Sequence, residues 1–135
     1  MACLDTTILI DLAGPNARLR KRALDKLSEL IDRNETLVTT RFNVAELYIG
    51  IARSDNPRND EASVRSLIGD LGILEFNDRA ARMFGQITAY LQTFGRPIGD
   101  MDVLIAATAM AAGHSMITRD ISLFVNIPQL TVEEY

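Results

Sequence analysis

The sequence predicts an α/β fold, with a central, mainly parallel sheet of four to five strands flanked by helices. Short apolar segments alternate with longer segments in which apolar residues recur every three or four positions. Strands that are apolar throughout are typical of parallel sheets covered by helices on both faces. The length of 135 residues, of which 47% are hydrophobic and 24% charged, suits one globular domain, which we expect to span residues 1–135.

Two strands and three helices are predicted in the first half of the chain. Residues 2–4 form a short apolar run, which indicates the first strand. After a break at Gly14 and Pro15, apolar residues recur at helical spacing over residues 17–32. A second strand is predicted over residues 36–39, and it is followed by helices over residues 42–52 and 61–71.

The second half repeats the alternation. A strand over residues 73–76 leads into a helix over residues 78–94, for which Asn77 is a suitable N-cap and Gly95 a suitable end. The next predicted elements are a helix over residues 101–112, closed by Gly113, and a strand over residues 115–118. Residues 130–132 are predicted to add a fifth strand at the sheet edge.

Charge and hydropathy restrict the function classes. A net charge of −4 argues against broad nonspecific nucleic-acid binding, although carboxylate-bound cations can still neutralise a phosphate locally. The apolar run over residues 103–107 is far too short to cross a bilayer. No basic segment precedes the acidic residue at position 5, so we expect no signal peptide, a cytoplasmic location and no association with membranes.

Four acidic residues map to one edge of the predicted sheet, where the strands have their carboxyl ends. Asp5 directly follows the first strand, and Asp120 follows the fourth strand by two residues. Glu46 lies in the early turns of the helix after the second strand. Asp102 lies in the first turn of the helix that precedes the fourth strand. Ligands of open α/β sheets bind at this edge.

Clustered carboxylates have a chemical use and several structural explanations. Mg²⁺ and Mn²⁺ prefer oxygen ligands, and such an ion can orient a phosphate and activate water. Alternatively, Asp5 caps a helix that starts at Thr6, and Glu46 pairs with Arg41 or Arg53. Asp102 then only complements a helix dipole, and Asp120 is a turn residue. Each alternative is reasonable alone, but together they give no reason for four acids to meet on one edge.

At these residues the sequence resembles the PIN-domain family, and more narrowly the VapC toxins of bacterial and archaeal toxin–antitoxin pairs. The resemblance covers essentially the whole chain. It rests on the order and spacing of four segments, which lie at residues 4–12, 40–47, 102–107 and 117–120.

The resemblance implies that Asp5, Glu46, Asp102 and Asp120 bind Mg²⁺ or Mn²⁺ and catalyse endonucleolytic cleavage of RNA by a metal-activated water. It also implies inhibition by a small VapB-like antitoxin and assembly as a homodimer. In this resemblance, supporting roles fall to Thr118, whose hydroxyl can position a carboxylate, and to Thr7, where the family often has asparagine or serine. Asp100 is an additional acid, either an N-cap or a further metal ligand.

Two arginines near the acids, Arg41 and Arg119, are candidate contacts for RNA phosphate. The main alternative function is a PIN-fold binding module that acts through protein or RNA association without efficient catalysis. A phosphoryl-accepting receiver domain is disfavoured because the chain has no late lysine, and a haloacid-dehalogenase-type phosphatase because Thr7 stands where a second aspartate is needed.

Overall fold

One or two helices separate each strand from the next in a computed structural model that describes residues 1–135. The elements in chain order are β1 (Ala2–Leu4), α1 (Thr6–Ala13), α2 (Ala17–Asp32), β2 (Leu37–Thr40), α3 (Arg41–Ala52), α4 (Pro57–Ile68), β3 (Gly72–Leu74), α5 (Asp78–Thr93), α6 (Asp100–Ala111), β4 (Ser115–Thr118), α7 (Ile121–Phe124) and β5 (Val132–Glu134).

The five strands form one sheet in the order β3-β2-β1-β4-β5. Every neighbouring pair is parallel, which confirms the predicted fold class and makes the sheet wholly rather than mainly parallel. Because all strands run the same way, their carboxyl ends lie along one edge, called here the carboxyl edge. The central strand β1 ends at this edge immediately before Asp5.

Helices cover both faces of the sheet, as the apolar strands require. On β1, Cys3 faces the core that contains Ile87 of α5 and Ile105 of α6. Its neighbour Leu4 faces the opposite core, which contains residues of α1, α2, α3 and α4. The side chains of β1 therefore alternate between two buried layers, and none of its three residues faces solvent.

Several predicted boundaries are shifted. The helix predicted over residues 61–71 runs over Pro57–Ile68, because Pro57 occupies the first turn, where its missing N–H costs nothing. The strand predicted over residues 73–76 ends at Leu74, the last residue that pairs with β2. The predicted fifth strand lies over Val132–Glu134 instead of residues 130–132, in register with β4. Helix α7 was not predicted, since four residues carry no periodic signal.

The predicted helix ends are accurate where a capping asparagine or a following glycine determines them. Asn77 caps α5, because its Oδ1 accepts a hydrogen bond of 2.9 Å from the backbone N–H of Ala80. Gly95 and Gly113 follow α5 and α6 with φ angles of 64° and 77°, a left-handed conformation that favours glycine. None of the helices combines the length and the apolar character needed to span a bilayer.

Candidate active site

Asp5 lies at the carboxyl end of the central strand and is only 5% exposed. Although it occupies the N-cap position of α1, its side chain makes no capping hydrogen bond, so the explanation of Asp5 as a helix cap is wrong. Instead, its Oδ1 accepts from Asn43 Nδ2 at 3.2 Å, and its Oδ2 accepts from Thr118 Oγ1 at 2.8 Å. Donors from two other elements therefore fix the carboxylate.

Asn43 is a site residue that the sequence reasoning missed. It is fully buried at the start of α3, where its Oδ1 accepts from the backbone N–H of Thr40 at 3.1 Å. Thr40 Oγ1 in turn accepts from the backbone N–H of Asn43, which completes a capping box. The Thr-x-x-Asn spacing was a visible signal for the cap. It gave no sign that the remaining amide hydrogens of Asn43 point to Asp5 and Thr6.

Glu46 lies one turn further along α3 and is half-buried. Thr6 Oγ1 donates a hydrogen bond of 2.6 Å to its Oε1, and Asn43 Nδ2 donates to Thr6 Oγ1 at 3.0 Å. Glu46 forms no ion pair with Arg41 or Arg53, so the surface salt-bridge explanation of this residue is wrong. Its second oxygen, Oε2, receives no hydrogen bond from the chain.

The turn after β4 brings another of the four acids, Asp120, to the same edge. Asp120 occupies the N-cap position of α7, yet its exposed side chain caps nothing. The backbone N–H of Asp120 donates to Thr118 Oγ1 at 3.0 Å, and Thr118 itself donates to Asp5. Thr7 joins this group, with its Oγ1 at 3.3 Å from Thr118 Oγ1. The three residues tie the turn to the central strand.

Asp102 approaches the cluster from the other face of the sheet, in the first turn of α6. It is half-buried, and its carboxylate accepts no hydrogen bond from the chain. Asp100 is exposed and lies inside α6 rather than at its cap, since Gly99 is the N-cap residue. The expectation that Asp100 serves as an N-cap is therefore wrong by one position.

The four acids influence one another electrostatically. Burial raises the pKa of Asp5, and repulsion from Asp120 raises it further against the hydrogen bonds from Thr118 and Asn43. Burial likewise raises the pKa of Glu46, with added repulsion from Asp5 and Asp102. The pKa of Asp102 is raised first by burial and then by Asp5 and Asp120. Each of the four carboxylates thus lies close enough to another one to be repelled by its charge.

The donor set fits a hard divalent cation. All four side chains offer carboxylate oxygens, and a bound cation would remove the repulsion that adds to burial in raising the pKa of Asp5, Glu46 and Asp102. As the side chains stand, no group of three or more His, Cys, Asp or Glu residues is arranged to hold a metal ion. Two of the four, Asp102 and Asp120, have unrestrained carboxylates, so the cluster can close around an ion without breaking a hydrogen bond.

Both candidate RNA-binding arginines make ion pairs outside the acidic cluster. Arg41 contacts Glu75 Oε1 through Nε at 3.0 Å and Nη2 at 2.6 Å, and both side chains are more than half exposed. Arg119 contacts Asp11 through Nε at 2.9 Å and Nη2 at 3.2 Å. The Arg41 pair is solvent-exposed, and the Arg119 pair is formed with a buried carboxylate.

An apolar groove borders the site on the side of Glu46. It has a volume of about 260 Å³ and lies between α1, α3 and α4. Ile10 and Leu47 are among its lining residues, and Ile10 is 52% exposed. Six of its twelve lining residues are hydrophobic, so the groove presents apolar surface next to Glu46.

Comparison with known proteins places this geometry in context. A family model described as PIN domain matches residues 2–129. The chain is 30% identical over 132 residues to Ribonuclease VapC2 of Haemophilus influenzae, covering 98% of this chain and 96% of the relative. It is 33% identical over 94 residues to the tRNA(fMet)-specific endonuclease VapC of Salmonella typhimurium, covering 70% and 71%.

A solved structure with the same fold is VapBC2 from Rickettsia felis, bound to a DNA fragment from their promoter. Its matching chain superposes with a TM-score of 0.88 at 25% identity, over 99% of this chain and 98% of that chain.

Proposed function

The chain belongs to the PIN domain family, and on that premise we propose that it is a metal-dependent endoribonuclease, the toxin of a VapBC-type toxin–antitoxin pair. The observation that carries the proposal is the gathering of Asp5, Glu46, Asp102 and Asp120 at the carboxyl edge. Asp5 and Asp120 occupy cap positions without capping, Glu46 has no ion pair and Asp102 accepts no hydrogen bond, so neither helix capping nor ion pairing explains why the four gather.

These four carboxylates would hold Mg²⁺ or Mn²⁺, which supplies charge neutralisation at the scissile phosphate and acidifies a water molecule. The chain's own contribution is orientation. Asn43 and Thr118 each donate to one oxygen of Asp5, which favours its ionised form and fixes the direction of the carboxylate. Thr6 holds one oxygen of Glu46 in the same way and leaves the other free to accept a proton.

We assign the contact with RNA phosphate first to Arg41. Its pair with Glu75 is exposed on both sides, and exposed ion pairs contribute only about 0–1 kcal/mol. The guanidinium can therefore exchange the Glu75 carboxylate for a phosphate at little cost. Arg41 is also the first residue of α3, which places it at the carboxyl edge of the sheet, five residues before Glu46 on the same helix.

A VapB-like antitoxin is the proposed protein partner, and a second copy of the chain completes a homodimer. Several relatives were crystallised as VapBC complexes, including VapBC-1 from nontypeable Haemophilus influenzae. The groove beside Glu46 offers an antitoxin an apolar surface that is continuous with the acidic cluster. An antitoxin bound there would restrict access to the site.

The test is cleavage of labelled RNA by the purified chain with Mg²⁺ or Mn²⁺, with excess EDTA, and with the variant Asp5→Asn. Cleavage should require the cation and be lost in the variant. Asp25→Asn is the matched control, because Asp25 is an exposed aspartate of α2 paired only with Lys21. Cleavage that persists in EDTA, or in Asp5→Asn, would overturn the proposal.

A second candidate is a PIN-fold module that binds RNA or protein without efficient cleavage. It is favoured by one observation, that the acids as placed form no group of three arranged to hold a metal ion. Calorimetric titration with Mn²⁺ separates the two candidates. Binding that is lost in Asp5→Asn supports the nuclease, whereas RNA binding with no Mn²⁺ binding supports the module.

A further inference from the structure

A second buried carboxylate lies near the acidic cluster and makes an unusually complete set of contacts. Asp11 is 4% exposed and lies on α1, six residues after Asp5. Its two oxygens accept from Arg119 through Nε at 2.9 Å and Nη2 at 3.2 Å. The hydroxyl of Tyr135 donates a third hydrogen bond of 2.7 Å to Asp11 Oδ2. We call Asp11, Arg119 and Tyr135 the clamp.

The clamp fixes the side chain of Arg119. A two-point contact between guanidinium and carboxylate sets both distance and direction. Because Asp11 is buried, removing its partner would leave an uncompensated charge, which is strongly unfavourable. Arg119 itself is 35% exposed, yet two nitrogens of its guanidinium are bound to the buried carboxylate of Asp11.

The backbone of Arg119 connects the clamp to the active site. Arg119 lies between Thr118, which donates to Asp5, and Asp120, one of the four acids. Its own N–H donates to Thr7 Oγ1 at 3.1 Å. The end of β4 and the turn after it are thus attached at three points, through Thr118 to Asp5 and through Arg119 to Thr7 and Asp11 of α1.

We propose that the clamp positions Asp120 for cation binding, so that Arg119 acts on the turn that carries this acid instead of on RNA. The proposal rests on the proposed function, since it assumes a divalent cation at the four acids. Asp120 has no side-chain hydrogen bond of its own. Its placement therefore depends on the backbone of residues 118–120, which the clamp holds.

The experiment measures Mn²⁺ affinity by calorimetry, without RNA, for the full chain and the variants Arg119→Gln and Tyr135→Phe. The sign of the effect is informative. Arg119→Gln removes a positive charge near the site, so electrostatics alone would strengthen cation binding, whereas loss of positioning weakens it. We expect Arg119→Gln to weaken Mn²⁺ binding by about 10- to 100-fold. Tyr135→Phe, which changes no charge, should weaken it less.

Arg33→Gln is the matched control. It breaks another two-point ion pair, between Arg33 and Glu133, with distances of 3.0 and 2.9 Å. Neither residue contacts the four acids, so Mn²⁺ affinity should be unchanged while stability falls. Tyr135→Phe keeps the ring and its packing, which preserves the test if Arg119→Gln does not fold.

Three results would overturn the role of the clamp. Wild-type or tighter Mn²⁺ affinity in Arg119→Gln would show that the turn needs no clamp. Unchanged Mn²⁺ affinity with weaker binding of single-stranded RNA in EDTA would place Arg119 on the RNA. Absence of Mn²⁺ binding in the wild-type chain would overturn the proposed function, and the role of the clamp with it.

Discussion

Asp5 and Glu46 are held by hydrogen bonds from neighbouring side chains, whereas Asp102 and Asp120 accept none. Asp5 receives donors from α3 and β4, and Glu46 receives one from Thr6 on α1. The first pair therefore has a fixed direction before any ion arrives. The second pair is placed only by its backbone, at the start of α6 and in the turn after β4.

This difference separates two requirements of a metal site. Precise geometry calls for carboxylates locked by surrounding hydrogen bonds. Four like charges at one edge, however, repel each other when no cation is present. Leaving Asp102 and Asp120 unrestrained lets half of the cluster move apart without the ion and close when it binds. We call Asp5 and Glu46 the fixed pair, and Asp102 and Asp120 the free pair. Each experiment below either strengthens or removes the distinction between them.

The largest effect is expected from Asp102→Asn. Cleavage should fall by at least about 100-fold, because a charged group that acts on the developing transition state is lost. Stability in EDTA should not fall, since Asp102 makes no hydrogen bond and its charge is repelled by Asp5. Cleavage assays and urea unfolding measure the two effects. Marked destabilisation would show that Asp102 is structurally restrained and would remove the distinction.

Asn43→Asp tests the fixed pair. The new side chain keeps the acceptor for the Thr40 cap but places a carboxylate where an amide now donates to Asp5 at 3.2 Å. We expect a loss of about 1–3 kcal/mol of stability in EDTA, measured by urea unfolding. Asn77→Asp makes the same substitution at the exposed cap of α5 and should be nearly neutral. Equal stability of both variants would mean that Asp5 is not rigidly held.

In EDTA the acidic cluster should add stability, seen as a higher Tm, as the pH falls from neutral toward the ordinary carboxyl pKa of about 4, while His114, whose pKa burial lowers, contributes in the opposite direction. Burial and repulsion raise the pKa of Asp5, Glu46 and Asp102 in the folded chain, so the folded state binds more protons than the unfolded one and gains stability on acidification. Saturating Mn²⁺ should suppress the rise. Glu133, whose pKa its partner Arg33 lowers to about 2, loses its contribution only below the ordinary value of 4.5.

An identical pH dependence of Tm with and without saturating Mn²⁺ would contradict the repulsion among these acids. Calorimetric scans at each pH, with and without Mn²⁺, provide the comparison.

The smallest effect is expected from Asp100→Asn. Asp100 is exposed, does not cap α6 and forms no hydrogen bond with any of the four acids, so cleavage should stay within about twofold of wild type. A loss as large as that of Asp102→Asn would add Asp100 to the free pair as a further metal ligand. Parallel cleavage assays on the two variants decide between these outcomes.

The sequence was sufficient for the positions that depend on backbone alone. Asp5 could be placed because it directly follows an apolar strand, and Asp102 because it begins a helix. The partners that hold the side chains could not be found in this way. Asn43 is 38 residues from Asp5, and Arg119 is 108 residues from Asp11. No local period or spacing encodes such contacts, which appear only when the strand order is known.

The strand order also determines when the site can form during synthesis. The central strand β1 is made before its neighbour β4, and β2, β3 and six helices lie between them in the chain. Asp5 and Thr118, joined at 2.8 Å, are 113 residues apart. Contacts between such distant residues form late in folding, after long segments have been ordered. A growing chain therefore carries an incomplete site until residues 118–120 emerge, so an RNA-cleaving protein made in this order is inactive while the preceding residues are being translated.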